Sequence, residues 1–186
     1  MTPRRPRDIG TAAETAAVRH LHTAGWPHAE RRALRGHLDA GDITGCPGVC
    51  IEVKGGDAAR TASDLTISRW MEELAREVVN ARAAVGLLVV QRAGVGPANA
   101  GRWWAYMPAF QLAALVCESP GPDDDRGAFP VRMLLADATA LLRAAGYGTP
   151  PVAPDADTTR PVVGNFDGRR RDDTTTVHLP AADQTA

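Results

Sequence analysis

The chain has 186 residues, 44% of them apolar, which is enough for one hydrophobic core of ordinary composition. A formal net charge of −1 argues against a protein that coats nucleic acid indiscriminately, and no run approaches the roughly 18 apolar residues of a membrane span. Three cysteines, Cys46, Cys50 and Cys117, make no disulfide framework. The basic opening MTPRRPRDIG leads into no apolar stretch and does not read as a secretory signal, so a reducing, cytoplasmic compartment is expected.

The charge is unevenly placed. Residues 1–35 carry seven Arg against Asp8, Glu14 and Glu30, while Asp123, Asp124 and Asp125 form an acidic run. For a phosphate ligand the local field matters more than the sum. Of the 21 basic residues, 20 are Arg, and Lys54 is the one Lys. A position that keeps Lys in such a chain wants a compact ammonium rather than a planar, always-charged fork, unless chance left it there.

In chain order, residues 1–9 read as an arm. Thr11 opens a helical pattern, with Glu14 three positions on completing a T-x-x-E capping box. Residues 27–35 form a weak strand. The string GDITGCPGVCIEVK, residues 41–54, predicts a β-hairpin with Pro47-Gly48 at its turn. Residues 55–64 read as a loop, and residues 65–82 as a helix with Ile67, Trp70, Met71, Leu74 and Val78 at helical spacing. AVGLLVVQ, residues 84–91, suits a central buried strand. Residues 93–101 read as a loop, 102–107 as an edge strand, and 108–117 and 130–145 as helices split by the acidic loop. From Thr149 onward Pro, Asp, Thr and Ala dominate and periodicity is lost, which predicts a disordered tail over 150–186. The expected fold class is therefore α/β, a mixed central sheet flanked by helices, with a domain over 1–149 made of a core at about 9–107 and a helical addition at 108–149.

The hairpin carries the chemistry. With Pro47 at the apex, paired residue numbers sum to 94, and Asp42 lies opposite Glu52, with Cβ atoms about 4.5–5.5 Å apart. Lys54, two residues on, projects from the same face, while Ile43, Ile51 and Val53 take the other. Two adjacent carboxylates and an ammonium suit a hard divalent cation and phosphodiester hydrolysis. They equally suit a surface salt-bridge cluster, and spacing alone does not separate the two.

Several other residues have two readings. Glu14 either satisfies its helix start or stands near a metal. Arg31, Arg32 and Arg35 either contact a DNA backbone or are solvated charges. Gln91 and Arg92 follow the central strand, where loops often meet a ligand. Cys46 and Cys50 are too few for a zinc site and are expected in the core or turn. His20 and His22 are expected at the surface and Trp70 in the core. Of Trp103 and Trp104, one is expected in the core and one exposed.

The ordered set Glu14, Asp42, Glu52 and Lys54, on a helix and a hairpin, resembles the PD-(D/E)XK nuclease superfamily. With GTAAE before the hairpin and ERRAL between, residues 9–107 are most similar to the small Holliday-junction-resolvase-like nucleases of actinobacteria and their phages. The family's leading Pro-Asp is Gly41-Asp42 here, which leaves the carboxylate in place. The resemblance implies a restriction-endonuclease-like core and a metal-dependent DNA endonuclease active in DNA recombination on branched or four-way DNA, working as a homodimer. It implies Glu14, Asp42, Glu52 and Lys54 as catalytic residues. Mg²⁺, with Mn²⁺ able to substitute, would be held by Asp42, Glu52 and the Val53 backbone carbonyl, and by Glu14 through water. Two alternatives stand beside this: a restriction-like or repair nuclease with another DNA target, and a DNA-binding or assembly module that has lost catalysis.

Overall fold

Two apolar stretches, VCIEV and VGLLVV, set the middle of the fold. In the computed structural model, which describes residues 6–32, 40–117 and 128–149, they form β3 (Val49–Lys54) and β4 (Val85–Val90). The two strands run parallel, with Glu52 beside Leu88 and Lys54 beside Val90. All six β4 residues are buried, as a strand covered on both faces requires. A parallel pair needs a crossover, supplied by the short α2 (Gly56–Arg60) and by α3 (Asp64–Ala81). Ser63 caps α3 by accepting the Thr66 amide at 3.3 Å, and Arg82 ends it in the left-handed conformation.

On one flank β1 (Glu30–Arg31) and β2 (Ile43–Thr44) add antiparallel; on the other, β5 (Trp104–Pro108) and β6 (Pro130–Leu134) do the same. The result is a six-stranded mixed sheet in the order β1-β2-β3-β4-β5-β6. Helices cover both faces. Ala13, Ala17 and Leu21 of α1 (Pro6–Thr23) share a core with Leu135, Ala138 and Leu142 of α5 (Leu135–Ala144), against Ile43, Ile51, Val53, Leu87 and Val89. Ile67, Met71 and Leu74 of α3 pack on Cys50, Leu88 and Val90 across the sheet. Each fully buried Leu, Ile or Val contributes roughly 1.5–3 kcal/mol. α4 (Ala109–Val116) follows β5. Among the described residues no helix is long and apolar enough to cross a membrane.

The architecture matches the α/β expectation, but several elements differ. α1 begins at Pro6, where a missing amide hydrogen costs nothing, so Thr11 is interior and no capping box forms. Residues 27–35 contribute only the two-residue β1 among those described, and residues 55–64 contain α2. The 93–101 loop contributes most of a 3₁₀ turn, Pro97–Arg102. Residues 130–134 are strand, not helix, so β5 lies between β4 and β6 rather than at an edge. Here pairing of PVRML with β5 overrides the helical pattern that continues into LADATALLRA. His20 is half-buried against Thr139 rather than at the surface, and burial lowers its pKa. The expected tail at 150–186, the acidic run and Arg35 lie outside the described residues.

Candidate active site

The hairpin of β2 and β3 forms in the expected register. Ile43 pairs with Ile51, and the amide of Val49 donates to the Cys46 carbonyl at 3.0 Å, closing a turn with Pro47 second and Gly48 third at φ 76°. That positive φ is the conformation a type II turn demands of its third residue. Gly41 enters β2 at φ 86°, and a Cβ there would sit 2.9 Å from both Cys50 Sγ and the Ile51 carbonyl oxygen. Glycine is thus what lets the chain pass close to β3 immediately before Asp42.

At Asp42 the regular ladder breaks. The Asp42 amide donates to Ile51 O at 2.9 Å, while the Val53 amide donates to Asp42 Oδ2 at 2.8 Å, so a side-chain oxygen replaces a backbone acceptor. The carboxyl groups of Asp42 and Glu52 are close enough to act directly on each other's ionisation. Within a strand, a residue's amide and carbonyl face the same neighbour, so the Val53 carbonyl faces the β2 side as well.

Lys54 Nζ donates to Glu52 Oε1 at 2.7 Å and to Glu73 Oε2 of α3 at 3.2 Å. It also lies 5.7 Å from the centroid of the Trp70 ring, within cation–π range. Glu52 is only 7% exposed, and Glu77 of α3, 5% exposed, adds its negative charge nearby.

Burial first, then the charge of Glu52, pushes the Asp42 carboxyl up to about 7, against the opposing hydrogen bond from the Val53 amide; Glu14 adds a smaller push upward. Burial raises Glu52 too, offset in part by Lys54. For Lys54, burial favours the neutral amine, but its bonds to Glu52 and Glu73 outweigh this and its pKa is raised. Near neutral pH the Asp42 carboxyl of the bare site is therefore divided between its protonated and ionised forms, beside a charged ammonium. A divalent cation would take the proton's place.

The donor set fits Mg²⁺. Among the described residues no three His, Cys, Asp or Glu side chains gather into a cage. An ion here would draw on Asp42, Glu52, the Val53 carbonyl and water, and Mg²⁺ characteristically keeps several waters on one or two carboxylates.

The remaining candidates take distinct places. Glu14, in mid-helix, accepts from Arg31 Nε at 2.7 Å, and Arg31 Nη2 donates to Thr11 Oγ1 at 3.2 Å. Arg31 thus directs two of its N–H donors at α1. Arg32 braces the strand that carries Asp42: its amide donates to Asp42 O at 2.7 Å and its Nε to Gly41 O at 3.0 Å. Gln91 staples the chain just after Lys54, its amide donating to Lys54 O at 2.9 Å and its Oε1 accepting the Gly56 amide at 2.8 Å. Arg92 lies against Trp104. Cys46 and Cys50 are buried, as expected, and Trp103 is core while Trp104 is half-buried.

Trp70, Glu73 and Glu77 had not been assigned to the site. Their spacing of three and four residues puts them along one side of α3, a legible line. Nothing local says which strand that line faces.

No protein-family model, curated protein or solved structure matches the chain.

Proposed function

We propose that the protein is a divalent-metal-dependent DNA endonuclease of the PD-(D/E)XK type, with the restriction-endonuclease-like core that this type implies, cutting branched DNA as a homodimer. The observation that carries this reading is the cross-strand carboxyl pair Asp42 and Glu52 with Lys54 Nζ 2.7 Å from Glu52, on one face of one hairpin. A structural salt bridge needs one acid for one base; here buried Glu52 and half-buried Asp42 oppose each other's ionisation, so charging both costs stability unless a cation relieves it.

In the hydrolysis, a water oxygen adds to phosphorus, the bridging P–O bond breaks, and a phosphomonoester and a hydroxyl end result. Bound Mg²⁺ would lower the pKa of its water and stabilise charge on the phosphoryl oxygens. Asp42 and Glu52 would hold that ion with the Val53 carbonyl. Lys54 Nζ, fixed by Glu73 and over Trp70, directs N–H donors at the attacking water or a phosphoryl oxygen. Glu14 is paired with Arg31 and so adds only a small negative field at Asp42. Two symmetric cuts on a four-way junction need two such sites, hence the homodimer.

The test is a cleavage panel of labelled four-way junction, flap and linear duplex with Mg²⁺ and Mn²⁺. Metal-dependent cutting of the junction over the duplex supports the reading. Cutting of the flap or duplex alone would keep the nuclease and reject the branched substrate. No cutting of any DNA would reject the nuclease.

A further inference from the structure

On the sheet face that carries Lys54, the Trp104 ring lies beside two arginines. Arg92 Cζ is 4.2 Å and Arg132 Cζ 4.7 Å from its centroid. Register places all of this in line with the site. Lys54, Val90 and Trp104 form one row across β3, β4 and β5; Glu52, Leu88, Tyr106 and Arg132 form the next, reaching β6. Directly paired residues point to the same face, and Leu88, Val90, Trp104 and Tyr106 all pack into the α3-side core. At about 4.8 Å per strand, Trp104 is roughly 10 Å from Lys54 and Arg132 roughly 14 Å from Glu52.

Among the described residues, neither Arg92 nor Arg132 forms an ion pair with a carboxylate. Two like charges on one ring repel, and an exposed cation–π contact returns only about 0.5–1 kcal/mol each. An anion would relieve the repulsion. The indole also restricts both side chains, and a guanidinium held against a ring can present its N–H edge as the preorganised fork that binds phosphate in bidentate fashion. A base stacking on this ring would compete with the guanidiniums for it, so the backbone is the better fit.

We propose that Arg92 and Arg132, ordered by Trp104, form a phosphate clamp for the DNA backbone flanking the phosphodiester at Asp42 and Glu52. This rests on the nuclease reading above. The separation corresponds to about three or four base-pair rises of roughly 3.4 Å from the cut.

The test titrates labelled four-way junction with the full chain, Ca²⁺ replacing Mg²⁺, at several salt concentrations, with thermal melts of each variant. Arg132→Ala, at an exposed position, and Arg92→Ala should each weaken binding about 5- to 10-fold near 0.1 M salt and reduce the slope of log affinity against log salt by about one. Arg132→Lys should keep the slope. Trp104→Leu should keep the slope but lose affinity, since the charges remain and their ordering goes. Unchanged affinity and slope in both alanine variants, while the wild type binds and cuts, would overturn the clamp and leave the nuclease standing. Clamp-dependent binding without cutting would do the reverse. A wild type that binds no DNA overturns the clamp, and so does a loss confined to Trp104→Leu, which would mark a base-stacking platform instead.

Discussion

The backbone amide of Val53 donates to Oδ2 of Asp42 at 2.8 Å, across the hairpin and out of the regular ladder. This bond fixes one oxygen of a carboxyl whose ionisation the neighbouring Glu52 opposes. It also turns the Val53 carbonyl to the same edge. Both carboxyls and this carbonyl are thus set by a single two-strand turn before any ligand arrives, and preorganisation of that kind is what a metal centre needs.

Neutralising either acid should stop the proposed hydrolysis without harming the fold. Asp42→Asn still offers an oxygen to the Val53 amide, and Glu52→Gln still offers one to Lys54. Each is expected to slow junction cleavage at least about 100-fold, with circular dichroism unchanged. Near-normal turnover in either variant would put the metal elsewhere.

The Asp42 carboxyl also predicts how stability responds to pH. Its folded value, about 7, lies above the ordinary 3.8 because of burial and the Glu52 charge. The folded chain therefore binds this proton more tightly than the unfolded one. The resulting stabilisation is complete below about pH 4 and is lost as pH rises to about 7, and raised Glu52 acts in the same direction. Allowing for partial solvent screening, the loss is about 2 kcal/mol. In metal-free melts, Asp42→Asn should gain on the wild type between pH 5 and pH 8, and Mg²⁺ should close the gap at pH 8. Parallel melting curves across that range would remove the shift assigned to Asp42.

Lys54→Arg separates charge from position. It keeps a cation near Glu52 and Glu73 but substitutes a longer planar fork. Junction binding in Ca²⁺ should stay close to wild type, while single-turnover cleavage falls at least about 100-fold. Equal cleavage rates for Lys and Arg would reduce Lys54 to a salt-bridge partner.

Glu73 should matter through Lys54. When an ion occupies Glu52, Glu73 is the carboxylate left to hold Nζ, at 3.2 Å and with 41% of its own side chain exposed. A half-exposed pair of this kind is worth about 0.2–1 kcal/mol. Glu73→Gln is therefore expected to lower the single-turnover rate by up to about fivefold with DNA affinity unchanged. An equal change in a Lys54→Ala background would show that Glu73 acts independently of Lys54.

Gly41→Ala tests the approach of the two strands. It imposes a Cβ at φ 86° and 2.9 Å from Cys50 Sγ and the Ile51 carbonyl. Destabilisation of about 2 kcal/mol or more is expected in denaturant melts. A neutral effect would mean that β2 can move away from β3.

The sequence by itself determined the hairpin and the set of charged side chains on one of its faces. Pro47-Gly48 fixed the turn, and strict alternation from Val49 to Lys54 fixed which side chains share a face, because a slip of one residue would drive Glu52 and Lys54 into the core under α1. The uniformly apolar VGLLVV fixed a central strand for the same reason of burial. Only the tertiary structure decided what stands over that hairpin. α3 brings Trp70, Glu73 and Glu77 to Lys54 and Glu52, and β6 brings Arg132 to Trp104. Those meetings join residues far apart in the chain, and periodicity reports only which side of its own element a residue occupies. It cannot report which neighbour that side will face, because packing of whole helices and strands decides that. Glu14 shows the same limit: its capping-box spacing was real in the sequence, yet α1 begins earlier and Arg31, from β1, became its partner.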